Sequence, residues 1–143
     1  MKVEWDMVRE FHSCFNHPIA ETPKMLEENR VINRGKWMQE ELDEFYESEN
    51  MYEQADAIID LIYFAIGTLV EMGMPPDELF SIVHEANMAK LWEDGKPHYN
   101  ADGKTIKPKT WIDPEPKFIQ AIKRLESAHF EHYINNQGDC HEI

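Results

Sequence analysis

Apolar side chains recur at spacings of three and four at the start of the chain, where Trp5, Val8, Phe11 and Phe15 predict a short amphipathic helix over 4–15. His17-Pro18 and Thr22-Pro23 then mark a loop, because proline disfavours a helical conformation in the residue before it. A second helix is predicted over 27–49, with Val31, Trp37, Met38, Leu42 and Phe45 as its apolar stripe and Gly35 as its weak point. A turn at Ser48-Glu49-Asn50 leads to a third helix over 51–72, closed by Gly73 in the position favoured for a C-cap. Met74-Pro75-Pro76-Asp77 breaks the chain before a fourth helix over 77–91, carrying Leu79, Phe80, Val83 and Met88. Between 93 and 116, Asp94-Gly95, Asp102-Gly103 and the prolines at 97, 108, 114 and 116 predict an irregular loop or small hairpin. A last helix over 117–133 precedes a polar tail, about 134–143, expected to be mobile. The fold class is all-α, an antiparallel bundle of about five helices in one domain spanning 1–143.

The third helix is apolar on nearly every face, a pattern that predicts burial on all sides. A single small bundle has few places for such a helix, so packing against a second copy is the economical expectation: a homodimer, or a dimer of dimers. Inside this helix stands Asp60, flanked by Ala57-Ile58-Ile59 and Leu61-Ile62-Tyr63-Phe64. A buried, unpaired carboxylate costs several kcal/mol on the order-of-magnitude scale for such groups, so Asp60 is expected to need a partner. No Lys or Arg lies between Lys36 and Lys90. The neighbours are more acids, Glu40, Glu41 and Glu44 on the second helix and Asp56 one turn before Asp60, and crowded carboxylates call for a hard divalent cation.

The turn near residue 50 makes the second and third helices antiparallel. Folding about a point between 50 and 51 sets Glu41 opposite Asp60 and Glu44 opposite Ala57, with Asp56 beside it. Glu41 and Glu44 share a face at i,i+3, and Asp56 and Asp60 share one at i,i+4. One metal-sized site thus collects Glu41, Glu44, Asp60 and Asp56, with Glu40 placed to hold a second ion or activate a water. Acids on a helix are more often a solvated face, and Glu47, Glu49 and Glu53 are read that way.

The 143 residues suffice for one domain with a real core, and 14 Lys and Arg against 28 Asp and Glu give a net charge of −14. That charge repels a nucleic-acid backbone and leaves room for a small anionic substrate only where cations neutralise it. Cys14 and Cys140 have no CxxC spacing, which fits a reducing cytosol. Neither a leader-like apolar segment nor a membrane-length one is visible, so a soluble cytoplasmic protein without a membrane partner is expected.

Glu41-Leu42-Asp43-Glu44, then twelve residues, then Ala57-Ile58-Ile59-Asp60 resembles the ExxE…ExxD signature of the all-α nucleoside triphosphate pyrophosphohydrolases, which include the MazG-like, dimeric dUTPase-like and phosphoribosyl-ATP pyrophosphohydrolase-like proteins. The likeness extends through Gly67-Thr68, through His84-Glu85-Ala86-Asn87-Met88-Ala89-Lys90, and to Ala101-Asp102-Gly103-Lys104-Thr105-Ile106-Lys107-Pro108, covering roughly 8–114. It departs at Ala57, where the signature has an acid, and Asp56 is the substitute at hand. The resemblance implies cleavage of a nucleoside triphosphate to the monophosphate and pyrophosphate with Mg²⁺ or Mn²⁺, attack falling at the α-phosphorus, in a role of nucleotide-pool control. It implies Glu41, Glu44 and Asp60 as ligands and Glu40 as second ligand or base. It places Asn87 and Lys90 near substrate, with Lys104 and Lys107 on a loop able to close over phosphates.

Asn87, between Ala86 and Met88, is a polar amide on a packed helix and so is expected to need a partner. Phe11, His12, Phe15 and Trp37 are candidates to contact a base, although aromatics at helical spacing are more often core. His98, His129, His132 and His141 read as surface residues. Two rivals stand beside the enzyme. A di-iron carboxylate bundle needs Glu-x-x-His from two helices, and only Glu126…His129 has that spacing. A non-catalytic helical dimer binding metal or nucleotide draws its support from Ala57.

Overall fold

The computed structural model describes the backbone of residues 1–137 and the side-chain surroundings of residues 1–128. Its five helices are α1 (Lys2–Cys14), α2 (Glu28–Glu47), α3 (Met51–Met72), α4 (Pro76–Met88) and α5 (Glu115–Gln137). The all-α prediction holds, the α3 boundaries coincide with those expected, and the other helix ends shift by one to four residues. The side chains of His129 and His132, the residues Cys140 and His141, and the tail beyond Gln137 lie outside the described residues. Among those described, no single helix is long and apolar enough to cross a membrane.

The chain folds into two units, one of Met1–Pro76 with the chain from Leu125 onward, the other of Asp77–Arg124. In the first, α1 and α2 both pack on α3. Trp5 and Val8 from α1 meet Ile66 and Val70 from α3 in a small core, with Ile19 and Leu69 against it. Burying one such side chain contributes about 1.5–3 kcal/mol. Phe15, expected on this stripe, lies past the end of α1 and is exposed. Helix α2 runs unbroken through Gly35, and Val31 on its predicted stripe is exposed.

The α2–α3 turn is built as the sequence expects. Asn50 caps α3, its side chain accepting from the N–H groups of Tyr52 and Glu53, which satisfies two otherwise orphaned donors. At the far end, Gly73 takes a left-handed φ of 67° and ends α3, its N–H donating to the Val70 carbonyl and the next N–H, of Met74, to the Leu69 carbonyl. A side chain there would be strained twice over, because a Cβ would also lie 2.3 Å from the Thr22 carbonyl oxygen. The 15–27 loop is tied along this end of α3 by Ala20 N–H to Val70 O (3.1 Å) and Lys24 N–H to Met72 O (3.0 Å).

In the second unit, Leu79, Ile82 and Ala121 are buried. The segment from Ala89 to Pro114 is irregular, with one antiparallel bridge, Tyr99 to Thr105, closing a tight turn at Asn100–Lys104. The Trp111 indole N–H donates to Ala86 O (2.8 Å) and the Trp92 indole N–H to Ile106 O (3.2 Å), pinning the loop to α4 and to itself.

The expectation that α3 is buried on every side is not met within one chain. Ala57, Ile66, Gly67, Val70 and Glu71 are its buried positions, whereas Met51, Tyr52, Ile59, Ile62 and Tyr63 are exposed. Helices α1 and α2 cover only part of its circumference.

Candidate active site

The antiparallel register of α2 and α3 is visible in three contacts. Arg30 meets Glu71 through two bonds of 2.6 Å, Arg34 reaches the space beside Gly67, and Trp37 packs on Phe64 with ring centroids 6.0 Å apart. Each pair is symmetric about a point between residues 50 and 51. The next rung of the same ladder is Glu41 with Asp60, and the one after it is Glu44 with Ala57. The electrostatics agree. The Glu41 carboxyl is pushed above its ordinary range, first by partial desolvation and then by the negative charges of Glu44, Asp60, Glu40 and Asp56. The other four acids proposed for the metal site therefore all act on Glu41.

Two features of the expected site are corrected. Asp60 is exposed, not buried, because the cover that encloses Glu71 further along α3 does not extend to it. The argument from an oily surrounding therefore loses its ground within one chain, and the juxtaposition with Glu41 is what remains. Moreover, among the described residues no three His, Cys, Asp or Glu side chains converge closely enough to hold a metal as they stand. The acids instead border open space. A cleft of about 230 Å³ at the turn end of the two helices is lined by Glu44, Glu47, Ser48, Glu53 and Asp56. Glu47 and Glu53, read from sequence as plain solvated acids, thus face the same cleft as two of the candidate ligands.

One turn further from the turn lies a second cavity, of about 300 Å³, walled by Phe11, His17, Trp37, Tyr63 and Phe64 and including His12 and Arg34. Of the candidates to contact a base, Phe11, His12 and Trp37 line this cavity. Phe15 is not on the wall and instead stacks behind Phe11, centroids 4.5 Å apart. His12 is buried, its Nδ1 2.8 Å from the Pro18 carbonyl oxygen. Burial lowers its pKa, opposed by the Pro18 bond and the Glu71 charge and reinforced by Arg34 and His17.

Beneath this cavity sits a buried ionic network that the sequence reading missed. Glu71, 1% exposed, accepts from Arg30 and, at 3.4 Å, from Arg34 Nη1. Arg34 also donates from Nε to Thr68 Oγ1 (3.0 Å) and from Nη2 to the Phe64 carbonyl oxygen, and its guanidinium lies over the Trp37 and Phe64 rings. Burial draws the Arg34 pKa down while Glu71 opposes the shift. The missed signal was present: Glu71 lies in Leu69-Val70-Glu71-Met72, a charge among apolar residues like Asp60, and the register that sets Glu41 against Asp60 sets Arg30 against Glu71.

The remaining candidates lie in the second unit. Asn87 is exposed, and its Oδ1 accepts from Lys90 Nζ at 2.6 Å, so the argument from a buried amide is corrected: α4 leaves that face open. Lys104 is exposed on the Asn100 turn. Lys107 Nζ lies 3.6 Å from the centre of the Trp111 ring. His98, read as a surface residue, is partly exposed, stacked on Trp92 and 2.9 Å from Asp94.

Residues 8–87 match the sequence profile of the family described as phosphoribosyl-ATP pyrophosphohydrolase. Among solved structures, the fold is similar to a provisionally assigned NTP pyrophosphohydrolase from Exiguobacterium sp. 255-15, at 30% identity and a TM-score of 0.51, covering 88% of this chain and 97% of the other. No curated protein matches the chain.

Proposed function

Because the chain belongs to the phosphoribosyl-ATP pyrophosphohydrolase family, we propose that it is a divalent-metal-dependent enzyme converting a nucleoside or deoxynucleoside triphosphate and water to the monophosphate and pyrophosphate. The observation that carries the reading is the crowding of Glu40, Glu44, Asp56 and Asp60 on Glu41. An all-oxygen set of like charges, with one carboxyl already driven toward its protonated form, suits a hard ion such as Mg²⁺ or Mn²⁺. Glu41, Glu44 and Asp60 would hold it once their side chains turn inward, with Asp56 standing in for the acid missing at Ala57.

When bound, the ion would neutralise phosphate charge and lower the pKa of a coordinated water. Glu40, next to the ligand pair and exposed, is the residue that would accept a proton from the attacking water. The water oxygen bonds to the α-phosphorus as the bond to the α–β bridging oxygen breaks, and pyrophosphate leaves. Lys90, joined to Asn87, is a candidate phosphate contact, and Lys90→Ala should raise KM more than it lowers kcat.

The exposed apolar row on α3, comprising Met51, Tyr52, Ile59, Ile62 and Tyr63, supports self-association, which sedimentation or light scattering would register as a mass of two or four chains. One observation favours a second reading. Ala57, 2% exposed, leaves the α3 side of the Glu44 rung without an acid, and a helical assembly that binds nucleotide without cleaving it follows if the site is too poor in ligands. Pyrophosphate release from a panel of ordinary, deoxy and damaged triphosphates with Mg²⁺ or Mn²⁺ decides between them. Release from any member supports the enzyme, and silence across the panel sinks it.

A further inference from the structure

The cavity walled by Phe11, Trp37, Tyr63 and Phe64 has a polar floor that the proposed reaction does not use. A carbonyl oxygen can only accept, so the bond to Pro18 places a proton on His12 Nδ1 and leaves Nε2 of the neutral ring as an acceptor. Burial keeps the ring neutral near pH 7. Among the described residues no group is hydrogen-bonded to Nε2, yet no fully buried side-chain nitrogen or oxygen lacks a partner. Nε2 therefore opens onto the cavity that His12 lines.

Beside it is Arg34 Nη2, with two N–H groups, one of them given to the Phe64 carbonyl. The two nitrogens flank one point. A Cβ built on Gly67 would lie 2.6 Å from Arg34 Nη2 and 2.9 Å from His12 Nε2, so the absence of that carbon is what lets acceptor and donor stand together.

The ligand that fits is flat, apolar on its faces and polar along one edge, with an N–H next to an acceptor atom. A nucleobase has that chemistry. The cavity also lies one helical turn from Glu41 and Asp60 along both helices, about 6 Å, the sort of offset that a sugar puts between a base and its first phosphate. Resting on the reading of those acids as a triphosphate site, we propose that the cavity takes the base and reads its edge through an N–H donated to His12 Nε2, with Arg34 Nη2 donating to the neighbouring acceptor.

The test compares whichever triphosphate the protein handles best with a counterpart of the same size in which the edge N–H is replaced by C–H, or the amino group by methyl. Both kcat/KM and calorimetric affinity are measured with Mg²⁺ present. The wild-type protein should disfavour the counterpart roughly tenfold or more. In His12→Asn the amide can still donate to Pro18 but nothing occupies the Nε2 position, and the preference should fall toward one. Equal handling of the pair by the wild-type protein overturns the base reading, as does a preference that survives in His12→Asn. Cleavage with no such preference leaves the reaction standing without the reader. Affinity with preference but no cleavage leaves the reader standing without the reaction. Failure to bind any nucleotide overturns both.

Discussion

Arg30 and Glu71 are joined by two parallel hydrogen bonds of 2.6 Å across 41 residues of chain, and Glu71 has no exposed side-chain surface. The pair fixes the far end of the α2–α3 ladder, while the Asn50 cap fixes the near end. Glu41 and Asp60 lie on a rung between two anchored ends, so their facing is a consequence of register and not of a specific bond between them.

Glu71→Gln tests the anchor. Removing one partner leaves the buried Arg34 guanidinium short of its counter-charge, and such a break costs about 3–5 kcal/mol, against the 0–1 kcal/mol of an exposed pair. Denaturant unfolding should show a loss of that order. The exposed pair Lys2–Asp6, truncated as Asp6→Ala, is the comparison and should lose well under about 1 kcal/mol. Equal losses would mean that the network does not anchor the helices.

Much of this arrangement was legible in the sequence, and the reasons differ by element. The α3 boundaries came through because Asn50 and Gly73 are strong local signals whose side chains or backbone satisfy orphan groups at the two ends. The register came from the turn length alone. What failed was burial. Hydrophobicity of α3 predicted that Asp60 is enclosed, but burial depends on what covers each face, and α1 and α2 enclose Glu71, which lies near Asp60's stripe, while leaving Asp60 open. The Glu71 network was missed because its partners, Arg30 and Arg34, sit on α2 a long way off in sequence. Periodicity on either helix says nothing about a cross-helix ion pair until the two are laid side by side.

The acid cluster predicts opposite effects with and without metal. With no metal, Glu41→Gln removes one of several repelling charges, and thermal unfolding should rise slightly, by about 1–2 °C, as befits a partly exposed contact. With Mg²⁺ or Mn²⁺ present, the wild-type protein should gain stability on titration and the variant should gain less. Turnover should fall about a hundredfold or more in Glu41→Gln and Asp60→Asn. Because the raised Glu41 pKa makes protons compete with the ion, apparent metal affinity should weaken as pH falls toward that carboxyl's range. Full activity in Asp60→Asn would remove it from the ligand set.

His12 predicts a pH dependence of stability. Its folded pKa lies below the ordinary 6.5, chiefly through burial, so on acidification the unfolded chain takes up this proton first. The sign follows: its contribution is complete above about pH 6.5 and is lost as pH falls from there through the lowered folded value. His12→Asn has no titrating ring, so its unfolding temperature should drop less than that of the wild-type protein between about pH 7.5 and pH 5.5. Parallel profiles for the two proteins would place the acid sensitivity elsewhere.

Gly67 predicts a steric effect that reaches the cavity. Its Cα lies on a helix that tolerates alanine conformationally, so propensity alone would make Gly67→Ala stabilising by up to about 1 kcal/mol. The space forbids it. A Cβ 2.6 Å from Arg34 Nη2 and 2.9 Å from His12 Nε2 must displace one or both. Arg34 is held by Thr68, Phe64 and Glu71, whereas His12 is held by a single bond to Pro18, so His12 is the side chain that gives way. Overpacking of this kind costs about 1–3 kcal/mol, and Gly67→Ala should therefore lose stability. The pH dependence of unfolding attributed to His12 should shrink in the same variant, because a displaced ring regains solvent. A stabilised Gly67→Ala with an unaltered pH profile would show that the two nitrogens do not crowd this glycine.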